Sequence, residues 1–294
     1  MKLTITGHST AFFSTWYLIE ELGILFDAGD GVVSNLLNKV HKINHVFVSH
    51  AHRDHLSGLQ QTVQMGALVN APTVYFPKDS ESFVHLGNFA SQFDAHAALV
   101  KWQPLGEGEQ VMLREDLLVQ AHRNEHVVAP ADITRSLGFK VIQRRRKLKP
   151  EFAHLAQNDL RDLILEKGRD HTTEWVHKTL LGFSGDTPIG DLGLWSGTEV
   201  LIHECTFLGG LEDEGLEKKP YHEHSTLPEV LEMACTSAPE KLILGHFSSR
   251  YSGELIRERV TVLCTERKVP CPVWLMLPGV VEHDVLGREP DYRP

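Results

Sequence analysis

Four residues with metal-binding side chains fall in one short stretch, His50-Ala51-His52-Arg53-Asp54-His55. Imidazole nitrogen and carboxylate oxygen suit zinc and similar divalent ions, and four such groups so close together cannot all serve one tetrahedral ion. The spacing therefore points to two neighbouring metal sites. Two cations that share a water lower its pKa and neutralise charge on phosphoryl or carbonyl oxygens, which is hydrolytic chemistry. A chance grouping of surface histidines is the competing reading. Against it stand further His, Asp and Glu residues that follow short apolar runs: His122 and His126 after Val119, Asp186 after Phe183, Glu204 after Ile202, and His246 after Leu244.

Those apolar runs are the elements that must position the chemistry. Leu3–Thr6, Thr15–Ile19 and Ile24–Phe26 read as a meander of short strands separated by Gly and acidic residues. Val46–Val48 reads as a strand that ends at His50, and the spacing of Leu56, Leu59 and Val63 predicts a helix from Asp54 to about Met65. Strands are expected at 73–76, 117–119, 139–142, 180–183, 200–202 and 242–244, with a helix over 79–94 and a charged, helix-permissive stretch over 150–178. Strand ends hold loops rigidly, so candidate ligands would converge at one edge of a sheet. One domain spanning 1–294 with a helical, basic insertion at about 144–178 is expected.

Composition narrows the function classes. With 29 basic and 39 acidic residues the net charge is −10, which opposes general attraction to a polyanion, so a nucleic-acid substrate needs a local basic patch. Arg144-Arg145-Arg146-Lys147-Leu148-Lys149 is the one candidate, and Phe139 and Phe152 are the only aromatic residues near it in sequence. Base-specific reading by that run is not expected. The four cysteines, Cys205, Cys235, Cys264 and Cys271, are too dispersed for a metal motif or a disulfide framework and read as reduced thiols. No apolar run is long enough to span a membrane, and the first residues lack the layout of a secretory signal, so the reading is a cytoplasmic protein.

The cluster at His50–His55, preceded by Phe26-Asp27-Ala28-Gly29, resembles the metallo-β-lactamase superfamily over nearly the whole chain, and within it ribonuclease Z, the tRNA 3′-processing endoribonuclease family. The resemblance implies an αββα sandwich of the α/β (α+β) class. It also implies two divalent metal ions, Zn2+ foremost with Mn2+ also suited, held by His50, His52 and His126 at one site and Asp54, His55 and His246 at the other. Asp186 of Ser184-Gly185-Asp186-Thr187 would bridge them. His122 is the alternative to His126. Ile202-His203-Glu204-Cys205-Thr206-Phe207 and His224-Ser225-Thr226 resemble two further motifs of the family, and imply that Glu204 orients His224 and raises its pKa so that it donates a proton to the leaving alkoxide. Capping of the helix near Leu227 by His224, with Glu204 as a solvated charge, is the plainer alternative. His222 is expected to be a surface residue.

The expected activity is hydrolysis of an RNA phosphodiester, at a tRNA 3′ trailer by resemblance, by in-line attack of a hydroxide shared between the metals. Asp54 is available to accept the proton of the attacking water, and Arg250 is a candidate phosphate contact. A homodimer is implied. Gly7–Phe13 lacks the GTG-type start and following Arg associated with tRNA-processing members, and this favours an alternative, a small or cyclic nucleotide ester as substrate. A catalytically silent metal- or RNA-binding relative is the alternative from another class.

Overall fold

The computed structural model describes residues 2–210, 213 and 223–294. His222 lies outside the described residues. The first sheet contains β1 (Ile5–Thr10), β2 (Ser14–Ile19), β3 (Ile24–Phe26), β4 (His45–Phe47), β5 (Thr73–Pro77) and β6 (Lys101–Leu105). The second contains β7 (Gln110–Arg114), β8 (Leu117–Arg123), β9 (Leu137–Leu148), β10 (Thr173–Phe183), β11 (Thr198–Glu204), β12 (Lys241–Gly245) and β13 (Val273–Leu275). A short β14 (Val281–Glu282) returns to pair with β1, completing two seven-stranded sheets. In each sheet the pairings are antiparallel on one side and parallel on the other, beginning at β3/β4 in the first and β10/β11 in the second. This repeat of architecture leaves no repeat in the sequence.

Strand alternation builds the layers. The inward faces of both sheets form one core, in which Phe26 stacks on Phe183 at 4.9 Å and Phe47 on Tyr75 at 4.4 Å between ring centroids. The opposite face of the first sheet packs with α1 (Val32–Leu36), α3 (Leu59–Ala67) and α4 (Glu81–Phe93). Its counterpart on the second sheet packs with α7 (Leu227–Ser237) and α8 (Gly253–Arg267). Helix, sheet, sheet, helix is the expected order of layers.

Two local expectations are corrected. The helix expected from Asp54 to Met65 is split into α2 (Arg53–Leu56) and α3 by Gly58, whose missing side chain lets its backbone approach the Gly29 carbonyl and whose N–H donates to Ala28 O at 2.8 Å. The basic stretch 144–178 is helical only in its middle, at α5 (Gln157–Lys167), α6 (Arg169–Thr172) and one short turn. Arg144–Leu148 and Thr173–Lys178 are instead the paired arms of the long β9–β10 hairpin. These arms carry polar residues on both faces, so no apolar alternation marks them as strands. Cross-strand stacking serves in its place: the Arg144 and Arg146 guanidinium groups lie 4.4 and 4.5 Å from the Trp175 ring. Trp175 is thus the aromatic partner that local sequence did not reveal, whereas Phe139 is buried in the core.

Candidate metal centre

The parallel strands of both sheets end at the same edge of the sandwich, and the polar segments that follow them meet there. The end of β4 supplies His50, His52, Asp54 and His55; the loops after β8, β10 and β12 supply His126, Asp186 and His246. Ligand-type atoms of His50, His52 and His126 form one group within 4.8 Å of one another, and those of Asp54, His55, Asp186 and His246 form a second. Asp186 stands between them. Its Oδ2 lies 3.2 Å from His55 Nε2, 3.3 Å from His246 Nε2, and 3.8 Å from Nε2 of both His50 and His126. His126 is in the first group, and His122, on β8, is outside both.

Each inner imidazole is oriented by a bond to its other nitrogen. His55 Nδ1 donates to Asp27 Oδ2 at 2.7 Å, His126 Nδ1 to the Glu223 carbonyl at 2.8 Å, His246 Nδ1 to Thr206 Oγ1 at 2.8 Å, and His50 Nδ1 to Ser49 Oγ at 3.0 Å. Nε2 is thereby left facing the centre, the usual second-partner arrangement of metal-ligating histidine. Nε2 of His50, His55 and His246 is buried with no hydrogen-bond partner. Such an atom costs roughly 1–3 kcal/mol when left unmade. A cation that accepts these lone pairs removes that cost, so the residues present fit a pair of divalent ions.

Strain and charge mark the same place. Asp27, His246 and Phe12 have positive φ, at 55°, 60° and 67°, a region that L-residues keep only where the surroundings enforce it. Phe12 N–H donates to Asp54 Oδ2 at 2.9 Å, so the turn between β1 and β2 holds a candidate ligand in place. Burial pulls the His55 pKa down, but the carboxylates of Asp186 and Asp27 overcome it and raise the pKa well above the ordinary value. At His50 burial, joined by the neighbouring His55, outweighs Asp186, and the pKa is lowered well below the ordinary value.

Beside this cluster Glu204 and His224 form a buried pair, Nδ1 to Oε1 2.9 Å. Glu204 also accepts from Thr187 N, Thr206 N and Thr206 Oγ1, at 2.9, 3.0 and 2.6 Å. Burial opposes the imidazolium of His224, yet the Glu204 carboxylate prevails and raises its pKa to about 9. Its Nδ1 lies 3.9 Å from Asp186 Oδ2. The plainer alternative fails on both counts: Glu204 is buried, and α7 is capped by Thr226 in a reciprocal box with Glu229, not by His224. Thr206, which joins Glu204 to His246, was missed in the sequence although it sits in a quoted motif. Arg250 is exposed, and its Nε donates to Ser248 Oγ at 3.0 Å; it makes no hydrogen bond or ion pair with the cluster. The four cysteines are free thiols, three of them buried. No helix among the described residues is long and apolar enough to cross a membrane.

Comparison with known proteins agrees with this geometry. Residues 23–155 match the family described as the beta-lactamase superfamily domain. The chain is 29% identical over 272 residues to the chloroplastic tRNase Z TRZ2 of Arabidopsis thaliana, covering 88% of this chain and 71% of that protein. Among solved structures it resembles the metallo-beta-lactamase fold protein YhfI from Bacillus subtilis, with a TM-score of 0.63 at 16% identity, covering 96% of this chain and 100% of that one. The short form of human tRNase Z superimposes with a TM-score of 0.57 at 20% identity, covering 96% and 98%. The family match spans the segment that supplies His50 to His126 and the fold match spans nearly the whole chain, so that residues 23–155 belong to the beta-lactamase superfamily domain by sequence and the chain as a whole has the metallo-β-lactamase fold.

Proposed function

We propose that this protein is a metal-dependent phosphodiesterase of the ribonuclease Z kind that hydrolyses an RNA phosphodiester. The observation that carries this reading is the Glu204–His224 pair, a buried imidazole made cationic by its carboxylate and set against Asp186 of the two-site cluster. A hydrolase whose leaving group is a good anion needs no such donor, whereas an alkoxide must be protonated as it departs. The likeness to proteins named tRNase Z supports the same substrate class.

When bound, two divalent cations, zinc being the pair that a nitrogen-rich donor set favours, supply an activated water and neutralise developing charge. The chain's own residues do the rest. His50, His52 and His126 would hold one ion, Asp54, His55 and His246 the other, with Asp186 shared between them. Asp54 would take a proton from the attacking water, and the Phe12 N–H bond to its carboxylate supports that role. Glu204 holds His224 by Nδ1, so the proton for the leaving oxygen resides on Nε2. Arg250, held by Nε to Ser248 Oγ, would offer its Nη groups to phosphate.

A second reading, a small or cyclic nucleotide ester as substrate, is favoured by the turn between β1 and β2. There Phe12 and Phe13 are 50% and 64% exposed, and no basic side chain stands in that turn to meet a polyanion. Cleavage of a 3′-extended tRNA precursor, measured beside bis-p-nitrophenyl phosphate and cyclic nucleotides, separates the two. Processing of the precursor is expected; hydrolysis of the small esters alone would reject the RNA substrate. The mass of the protein in solution tests the homodimer that the family resemblance implies.

A further inference from the structure

Between Ser9 and Phe12 the chain is bonded to distant segments, and two of these bonds end on candidate ligands of the second group. Ser9 Oγ accepts the backbone N–H of His246 at 2.8 Å, a buried bond that runs from the first sheet to the end of β12 in the second. Ala11 N–H donates to the Phe247 carbonyl at 3.3 Å, and Phe12 N–H to Asp54 Oδ2 at 2.9 Å. Thr10 Oγ1 accepts from Gly279 N at 2.9 Å, which ties the same turn to the loop before β14. Among the described residues, this segment makes no hydrogen bond with His50, His52 or His126, the first group.

Ser9, Thr15 and Tyr17 share the inner face of the first sheet, where Ile5 and Ile19 are apolar core. A hydroxyl in such surroundings needs partners. Ser9 Oγ has the His246 N–H, Thr15 Oγ1 at 3.3 Å and the Tyr17 hydroxyl. Glycine at 245 permits this approach: a Cβ there would lie 2.2 Å from the Tyr17 hydroxyl and 3.3 Å from Ser9 Oγ. His246 has no such freedom. Its φ of 60° is a left-handed value that a non-glycine residue keeps only when it is held. Ser9 holds the backbone, as Thr206 holds the ring. So aimed, His246 Nε2 lies 3.5 Å from Asp54 Oδ2 and 3.3 Å from Asp186 Oδ2.

We propose that Ser9 is a positioning residue that sets the metal affinity of the second position by fixing the left-handed backbone of His246, the turn from β1 to β2 serving as a brace for that position and not for the first. The inference rests on the two-metal reading of the cluster. Loss of the Ser9 hydroxyl leaves a buried N–H without its acceptor, and a φ that relaxes in response swings the imidazole from Asp54 and Asp186.

Calorimetric titration of zinc into the metal-free full chain tests it. The wild type should show two binding steps. Ser9→Ala, with an unaltered circular dichroism spectrum, should weaken one step by about 10- to 100-fold, the range for outer partners of ligating histidines, and leave the other within about twofold. Hydrogen exchange in the metal-free wild type gives a reading that holds even if Ser9→Ala fails to fold: the His246 amide should be protected like those of β12. Weakening of both steps alike, weakening of neither, or a His246 amide that is protected only after zinc is added would each overturn the proposal. Absence of the two steps from the wild type would overturn the metal reading itself, and this inference with it.

Discussion

Thr206 Oγ1 lies 2.8 Å from Nδ1 of His246. Because the same hydroxyl donates to Glu204 Oε2 at 2.6 Å, it must accept from His246, and one side chain thus aligns a candidate metal ligand with the pair that would supply the proton. Thr206→Val keeps the shape and removes both bonds. Metal affinity or turnover should fall by about 10- to 100-fold, as for other outer partners of ligating histidines, and Thr206→Ser should restore it. Equal activity in the Val and Ser variants would remove Thr206 from the alignment.

His224 should show itself in the pH dependence. With a pKa raised to about 9 from an ordinary 6.5, the ring is protonated through neutrality and loses its proton above about 9, so turnover of an RNA substrate should decline on that alkaline side. Glu204→Gln removes the charge that raises the pKa and should move the decline to lower pH. His224→Ala should cost roughly 10²-fold or more with metal content unchanged. The same shift contributes folding stability that is fully present below 6.5 and is lost as pH rises through about 9. Unchanged turnover in His224→Ala would eliminate the donor role.

Metal analysis of the purified protein should return about two divalent ions per chain. Asp186→Asn, which weakens the carboxylate nearest both groups, should bring this below about one. Free metal at 100 times its dissociation constant should stabilise the fold by about 2.7 kcal/mol per site, readable as a chelator-sensitive rise in melting temperature. A full metal complement in Asp186→Asn would contradict the shared position.

If the β9–β10 hairpin meets RNA, Arg144 and Arg146, both against the Trp175 ring, are the contacts. Replacing both with Ala should weaken RNA binding and flatten the slope of log K against log salt by about 0.7 per lost phosphate contact, while hydrolysis of bis-p-nitrophenyl phosphate stays as it was. An unaltered slope would leave the arm without a part in recognition.

Much of the candidate site was legible because side chains of metal-binding type announce themselves chemically. The grouping at His50–His55 and the strand ends at Phe183 and Leu244 could be read residue by residue, since apolar runs that stop at a ligand are visible in one dimension. Partners that act across the sheets were not. Trp175 reaches Arg146 only through antiparallel register, and Gly58 divides a helix only because Gly29 lies against it in space. The division into two sheets came from the family resemblance alone, because each sheet needs only apolar alternation, which many sequences satisfy.

The candidate ligand set is drawn from both halves of the sandwich. Residues up to Leu105 build all but β14 of the first sheet and carry His50 to His55, whereas the strands from Gln110 onward carry His126, Asp186 and His246. A polypeptide cut at the Gly106–Gly108 turn would give two fragments, each bearing an incomplete coordination sphere. Their reassociation would then depend on the free metal concentration, so that the ions which serve catalysis would also act as the fastener between two separately encoded halves.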